Sequence, residues 1–98
     1  MSGIATTLAA SQVCKNAFNV ASRYDVNSLV VSDLEAINAC RAFLDDHPVL
    51  TEPACGVSLS LLYDRKVQFK PEENVLVIVC GGASVTLEAI MDYKVSSI

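Results

Sequence analysis

Val75-Leu76-Val77-Ile78-Val79-Cys80-Gly81-Gly82 is the stretch that decides the fold class. Its first six residues are apolar without polar alternation, which is typical of a strand buried on both faces of a parallel sheet. The two glycines end the run, and Ser84 is predicted to N-cap a helix that continues through about Tyr93. A strand, a glycine turn and a helix in this order place free backbone N–H groups at the carboxyl edge of the strand, where ligands commonly bind.

A second strand-to-helix unit lies earlier in the chain. Residues 26–31 are rich in β-branched and apolar side chains and predict a strand. Ser32 and Glu35 have the spacing of a capping box, so a helix is predicted over about Asp33–Asp46, ended by His47-Pro48. Its predicted buried face carries Leu34, Ile37, Cys40, Phe43 and Leu44, and its polar face carries Glu35, Asn38 and Arg41.

Two further helices are predicted. One covers Ser11–Tyr24, and the other begins after Thr51 as N-cap, with Pro53 in its first turn. Gly56 inside that helix costs about 1 kcal/mol relative to alanine, so a neighbouring helix is expected to approach its backbone. Residues 64–74 are polar and predict a surface loop.

The predicted fold class is α/β, with an incomplete parallel sheet and flanking helices. Two strands, 26–31 and 75–80, are clear, and 49–50 could form a short third one. Helices can cover the faces of such a sheet but cannot pair with its edges, and exposed apolar edges favour association. We therefore expect residues 1–98 to form a single partial domain that either self-associates or is part of something larger.

The composition of the chain limits the classes of function that we expect of it. The chain has 98 residues, 52% of them hydrophobic, and a net charge of −4, which fits one small domain. Its seven Lys and Arg residues are scattered apart from Arg65-Lys66, so nucleic-acid binding is not expected. No apolar run approaches the roughly 20 residues that span a bilayer, and the N-terminus has no basic segment, so we expect no membrane partner and a cytoplasmic location.

The four cysteines lack the spacing of a zinc site and are expected to be reduced thiols. Cys80 is the functional candidate among them; its alternative interpretation is a buried thiol at a strand end. Cys80 or Cys55 could be paired with His47 for thiol catalysis, but His47 lies at a helix end, where a cation is ordinarily favoured by the dipole. For Gly81-Gly82, a tight turn and contact with a ligand are both open.

Three motifs in order resemble the C-terminal region of the serine/threonine dehydratases, which are pyridoxal-phosphate enzymes of fold type II with a tryptophan-synthase-β-like fold. They are Val30-Val31-Ser32-Asp33, Glu52-Pro53-Ala54-Cys55-Gly56 and Val77-Ile78-Val79-Cys80-Gly81-Gly82. Residues 2–10 also resemble the segment that precedes these motifs in the family, so the similarity extends over nearly the whole chain.

The resemblance implies a chemistry. The family converts L-serine, and often L-threonine, into a 2-oxo acid and ammonia with pyridoxal 5'-phosphate held as a Schiff base on a lysine. By motif match, Cys80 would face the pyridine nitrogen, and Gly81 and Gly82 would let the backbone pass close to the ring. The backbone carbonyls of Leu8 and Ala10 would correspond to ligands of a monovalent cation.

Two departures accompany the resemblance. Residues 83–85 are Ala-Ser-Val, where the serine dehydratases usually have Ser-Asn-Ile. In addition, the family's lysine motif, ring-facing asparagine and glycine-rich phosphate loop have no counterpart here. The lysines, none of which lies in such a motif, are Lys15, Lys66, Lys70 and Lys94.

The sequence therefore supports one main interpretation and two rivals. The main one is an L-serine dehydratase (L-serine ammonia-lyase) lineage, truncated and inactive as an isolated chain. The first rival is a noncatalytic partner that docks on a full-length relative. The second is a small α/β module that binds an anion at the N–H groups after Cys80.

Overall fold

The computed structural model describes residues 4, 5, 8, 10–82 and 85–93. Within them the chain forms four α-helices: α1 (Lys15–Ala21), α2 (Asp33–Asp46), α3 (Pro53–Tyr63) and α4 (Leu87–Asp92). The pair α2 and α3 makes the main packing interface, and α4 packs on α2. No helix among the described residues has the length and apolar character to cross a bilayer.

The bounds predicted for α2 from its capping signals are confirmed. The Ser32 hydroxyl accepts a hydrogen bond from the Glu35 N–H at 3.1 Å, and the Glu35 carboxylate accepts one from the Ser32 N–H at 2.9 Å. The helix ends at Asp46, with His47 extended at φ −135° before Pro48. The local sequence thus determines both ends of this helix.

The close approach predicted at Gly56 is also confirmed. A Cβ at this position would collide with the carbonyl oxygen of Ala36 and would lie 2.7 Å from the Cys40 sulfur. Because α3 lies this close, small side chains of α2 make the contact, and Ala36 and Ala39 are buried. Leu34, predicted on the buried face, is instead 40% exposed. The absence of a side chain at Gly56 therefore lets the backbone of α3 approach that of α2 at Ala36.

Two cap predictions require correction. Thr51 is not the N-cap of α3: Glu52 holds that position, Pro53 is the first helical residue, and Thr51 is completely buried. The predicted cap of the last helix, Ser84, lies outside the described residues. Thr86 caps α4 instead, since its hydroxyl accepts a hydrogen bond from the Ala89 N–H at 3.2 Å.

The first helix is shorter than predicted. It covers Lys15–Ala21 rather than residues 11–24, and none of its residues is buried. Short helices are marginal unless a face is packed, and the absence of buried residues in α1 accords with its short length. The predicted surface loop is confirmed, because residues 64–74 are exposed apart from the half-buried Val67.

The predicted incomplete parallel sheet is not formed by the described residues, which is a correction to the α/β prediction. Residues 26–31, 49–50 and 75–80 lie outside the helices, yet none of them is paired as a strand in the part of the chain that the structure describes. Val30 is 92% exposed and Leu76 85% exposed. Parallel strands need neighbours to satisfy their backbone groups, and these runs do not pair with each other.

Hydrogen bonds from Arg41 clamp α4 to α2, a contact that was not predicted from the sequence. The Arg41 guanidinium donates hydrogen bonds to the backbone carbonyls of Ile90 at 3.1 Å, Met91 at 3.3 Å and Tyr93 at 3.2 Å. Arg41 was predicted on the polar, exposed face of α2 but is half-buried. It satisfies carbonyls that the end of α4 leaves without helical partners, next to the buried cluster of Ile37, Cys40 and Ile90.

Candidate functional site

The end of the apolar 75–80 run lies against the first turn of α3. The Cys80 N–H points at the Cys55 sulfur, with the nitrogen 3.3 Å from it. Cys80 itself is exposed, whereas Cys55 is completely buried. The alternative interpretation of Cys80 as a buried strand-end thiol is therefore wrong, and this thiol is available to a ligand.

The glycine turn, Gly81-Gly82, is also hydrogen-bonded to the N-terminal end of α3. The Gly81 carbonyl accepts a hydrogen bond from the Glu52 N–H at 2.9 Å, and Glu52 is the N-cap of α3. Together with the contact between Cys80 and Cys55, this bond joins Glu52-Pro53-Ala54-Cys55-Gly56 to Cys80-Gly81-Gly82. Two of the three motifs that carry the resemblance, about two dozen residues apart in sequence, thus form one structural unit.

Gly81 and Gly82 are required for different reasons. A Cβ at Gly82 would collide with the carbonyl oxygen of Leu50, so the fold itself needs glycine there. Gly81 has φ +105°, a conformation that favours glycine, and nothing lies within 4 Å of where its Cβ would be. The tight-turn interpretation therefore applies to Gly82. The interpretation as a ligand contact stays open for Gly81, whose open side leaves room for a ligand.

The residues present fit one edge of the pyridoxal phosphate ring. Cys80 offers an exposed thiol as a weak donor or acceptor for a ring nitrogen, and the open side of Gly81 would admit a flat ring beside it. An amine for the Schiff base is not part of this unit. Lys66, on the surface, is engaged in an ion pair with Glu35, and Lys94 lies outside the described residues.

The candidate cation ligands lie elsewhere. Leu8 is 48% exposed and lines a depression with residues 29–33, and its carbonyl accepts a hydrogen bond from the Ala10 N–H at 3.0 Å. Ala10 is exposed, and the rest of the segment 2–10 is described only at residues 4, 5 and 8. The cation ligation by these carbonyls stays a prediction. Among the described residues, no group of three His, Cys, Asp or Glu side chains could hold a metal ion.

Thiol catalysis with His47 finds no support in the geometry. The His47 ring packs on Phe43 with the ring centroids 5.0 Å apart, at the C-cap of α2. Cys55 is instead contacted by the Cys80 backbone. Cys40 is hydrogen-bonded through its thiol to the Glu52 carbonyl at 3.4 Å, and its burial raises its pKa above the ordinary value.

The anion-binding interpretation stays a prediction. Of the amides after Cys80, the Val85 N–H donates a hydrogen bond to the Gly82 carbonyl at 3.3 Å, and the amides of residues 83 and 84 lie outside the described residues.

Cys80, Gly81 and Gly82 were predicted from the sequence as site residues, but Glu52 and Cys55 were not predicted as their structural partners. Glu52 was named only as the first residue of the motif Glu52-Pro53-Ala54-Cys55-Gly56. The available signal was the position of Glu52-Pro53-Ala54-Cys55-Gly56 at a helix N-terminus, where unsatisfied N–H groups seek an acceptor. Such a helix end needs a carbonyl from elsewhere in the chain, and Gly81 provides it.

Comparisons with known proteins show which family the chain is similar to. The family model described as pyridoxal-phosphate dependent enzyme matches residues 1–81. An L-serine dehydratase of Dictyostelium discoideum is 34% identical over 95 residues, which are 94% of this chain and 27% of that protein. An L-serine dehydratase/L-threonine deaminase of Bos taurus is 33% identical over 102 residues, 96% of this chain and 31% of that protein.

A Saccharomyces cerevisiae protein named as a truncated L-serine dehydratase is 31% identical over 98 residues, 93% of this chain and 47% of that protein. The chain thus spans less than half the length of each of these three relatives. The family match, by contrast, covers most of the chain and includes Cys80 and Gly81. The chain therefore belongs to the pyridoxal-phosphate dependent enzymes, and to their fold type II.

Proposed function

We propose that this chain supplies the pyridine-nitrogen edge of an L-serine dehydratase site and is inactive as an isolated chain. The observation that carries the proposal is the unit in which Cys80 and Gly81 are fastened to Cys55 and Glu52 at the start of α3. It holds an exposed thiol next to an open glycine. The similarity to proteins named L-serine dehydratase supports L-serine, and L-threonine as a second substrate.

In such a site, pyridoxal 5'-phosphate supplies an electron sink for the bonds at the substrate α-carbon. In this site the Cys80 thiol would contact the pyridine nitrogen of the cofactor. A thiol, unlike a carboxylate, does not hold a proton on that nitrogen, and this suits loss of the β-hydroxyl better than reactions that need a stronger sink. Gly81 admits the ring, and the Glu52 N–H fixes the turn that carries both residues.

The proposed inactivity of the isolated chain follows from the missing amine. Deamination by this chemistry needs a lysine beside the cofactor to carry the Schiff base and move protons. None of the four lysines is in the family's lysine motif. A cofactor lysine, a phosphate-binding loop and a monovalent cation site completed around Leu8 and Ala10 would then come from a larger assembly, which we place in the cytoplasm.

The first experiment adds pyridoxal phosphate to the purified chain and records absorbance near the roughly 410 nm typical of the cofactor bound to a lysine. Borohydride trapping and mass spectrometry then locate any adduct. We expect slow, scattered labelling of surface lysines and no release of pyruvate from L-serine. A stoichiometric adduct on one lysine, together with pyruvate formation, would overturn the proposed inactivity.

A second candidate function is docking onto another chain of the same family without catalysis. The exposed apolar residues of the two unpaired runs favour it: Val26, Leu29, Val30, Val75, Leu76, Ile78 and Val79. In this proposal residues 26–31 and 75–80 become strands of a parallel sheet whose other strands belong to the partner. The same surface would also allow self-association.

Sedimentation at increasing concentration tests this candidate, alone and with a full-length dehydratase added. We expect the chain to associate and Leu76→Lys to weaken the association, whereas Val13→Lys, at an exposed residue outside both runs, leaves it unchanged. A chain that stays monomeric at all concentrations and does not bind the full-length protein contradicts docking. The anion-binding alternative is tested by the melting temperature, which it requires to rise in millimolar phosphate.

A further inference from the structure

Two cysteines from different parts of the sequence meet in the unit that joins α3 to the glycine turn. The Cys55 sulfur lies 3.3 Å from the Cys80 backbone nitrogen. Adding an N–Cα bond of about 1.46 Å places that sulfur within about 4.8 Å of the Cys80 Cα. The Cys80 sulfur is two bonds beyond this Cα, so the Cys55 sulfur lies within reach of the Cys80 side chain if χ1 turns it toward α3.

The two thiols differ in accessibility. Cys80 is exposed and follows a run that is not paired as a strand, whereas Cys55 is completely buried in the first turn of α3. Gly81, at φ +105°, gives the backbone beside Cys80 freedom that other residues lack. An oxidant in solution can therefore reach the Cys80 thiol. The Cys55 thiol, which solvent does not reach, can react only with an oxidised Cys80 beside it.

The remaining cysteines are poorer partners. Cys40 also lies near this region, but its thiol is directed at the Glu52 carbonyl at 3.4 Å. Burial raises the pKa of Cys40, and the protonated thiol is a weak nucleophile. Cys14 is exposed but sits at the N-cap of α1, which has no buried residue and does not pack on α3.

We propose that Cys55 and Cys80 form a peroxide-sensitive thiol pair that closes to an intramolecular disulfide. Hydrogen peroxide transfers one oxygen to the Cys80 sulfur as its O–O bond breaks, which gives a sulfenic acid and one water. The Cys55 sulfur then attacks the Cys80 sulfur, the S–O bond breaks, and a second water leaves. In sum, two thiols and one hydrogen peroxide give one disulfide and two waters, with two electrons passed to the peroxide.

The disulfide would have two consequences. It would attach the end of the 75–80 run covalently to the first turn of α3, replacing a weak N–H···S contact. It would also consume the thiol that faces the ring nitrogen, and this second consequence rests on the proposed function. A thiol reductant would restore both thiols, so the change is reversible.

The tryptic map of this chain makes the test unambiguous. Trypsin cleaves after Lys15, Arg23, Arg41, Arg65, Lys66 and Lys94 but not at Lys70, which precedes Pro71, and this leaves each cysteine in its own peptide. Cys55 falls in residues 42–65, and Cys80 falls in residues 67–94. A link between these two peptides therefore identifies the pair.

In the experiment, the full chain is treated with one equivalent of hydrogen peroxide, and the remaining thiols are blocked with a maleimide. The chain is then digested with trypsin without reductant, and the peptides are identified by mass spectrometry. We expect linked 42–65 and 67–94 as the main oxidised product, loss of two of the four labelled thiols, and full recovery with dithiothreitol. The chain is used without cofactor, so the result bears on the thiol pair alone.

Variants complete the test. Cys80→Ala, at an exposed position, should keep the helical circular dichroism signal and abolish the link, and Cys55→Ala should abolish it as well. Cys14→Ala and Cys40→Ala should leave the link in place. Linkage of 24–41 to 42–65, intermolecular dimers through Cys14, or oxidation of Cys80 to a sulfinic acid in place of the link would each overturn the proposal.

Discussion

Gly56 of α3 lies so close to Ala36 of α2 that a Cβ on Gly56 would overlap the Ala36 carbonyl oxygen. A helix interior ordinarily gains about 1 kcal/mol from glycine to alanine, but here the obstacle is backbone and cannot move aside. We expect Gly56→Ala to lower the free energy of unfolding by about 1–3 kcal/mol, as overpacking does. Urea denaturation measures the change.

The matched control for this substitution is Ser58→Ala, two residues further along α3 and only half-buried. It should change the free energy of unfolding by no more than about 0.5 kcal/mol. Stabilisation by Gly56→Ala would show that α3 does not approach α2 as described.

Arg41 ties α4 to α2 through three backbone carbonyls, and its removal should release α4 before the rest of the fold. Arg41→Ala leaves the carbonyls of Ile90, Met91 and Tyr93 without this donor. We expect a loss of about 1–2 kcal/mol of stability, because each bond is charge-assisted but partly exposed. Hydrogen exchange should become faster in residues 87–92, while α2 and α3 keep most of their protection.

Two variants control for the charge of Arg41. Arg23→Ala removes an exposed arginine beyond α1 and should not alter exchange in α4. Arg41→Lys keeps the charge without the planar fork and should recover only part of the protection. Equal exchange rates in Arg41→Ala and the parent chain would contradict the clamp.

The hydroxyl of Tyr63 donates a hydrogen bond to the Asp46 carboxylate at 2.7 Å, joining the C-terminal ends of α3 and α2. Partial burial and the nearby Asp46 raise the pKa of Tyr63 from 10.0 to about 12. A raised folded-state pKa stabilises the fold below the unfolded value, and this contribution is lost as pH rises from about 10 to about 12.

Titration of tyrosinate absorbance should therefore show a late ionisation step near pH 12 that belongs to Tyr63. Tyr63→Phe should remove the late step, and Asp46→Asn should shift it to lower pH. A late step that persists in Tyr63→Phe would assign the raised pKa to another tyrosine.

The Glu35 carboxylate combines two roles, as acceptor from the Ser32 N–H and as partner of Lys66. The hydrogen bond from Lys66, followed by that from Ser32, lowers the pKa of Glu35 from 4.5 to about 2. A depressed folded-state pKa stabilises the fold above the unfolded value, and this contribution is lost as pH falls from about 4.5 to about 2.

A carbon-detected NMR titration of the glutamate carboxyls measures this pKa directly. In Lys66→Ala we expect the pKa of Glu35 to rise toward its ordinary value, although the capping bond to Ser32 keeps it somewhat below. Lys70→Ala, in the neighbouring loop, is the control and should leave the Glu35 titration unchanged. An unaltered Glu35 pKa in Lys66→Ala would exclude the ion pair as its main cause.

The sequence by itself determined the features whose causes are local. The capping box at Ser32 and Glu35 and the stop at His47-Pro48 define α2, because cap bonds and the restriction before proline act within a few residues. Gly56 indicated a close approach, and the three motifs identified the family.

The tertiary structure decided what depends on residues distant in the chain. Arg41 binds carbonyls some 50 residues away, so its position on a polar helix face did not reveal its role. The exposed state of Cys80 and its contact with Cys55 follow from how the turn docks on α3. The runs 26–31 and 75–80 have strand-forming side chains, but a strand also needs a neighbour to pair with, and the described residues supply none.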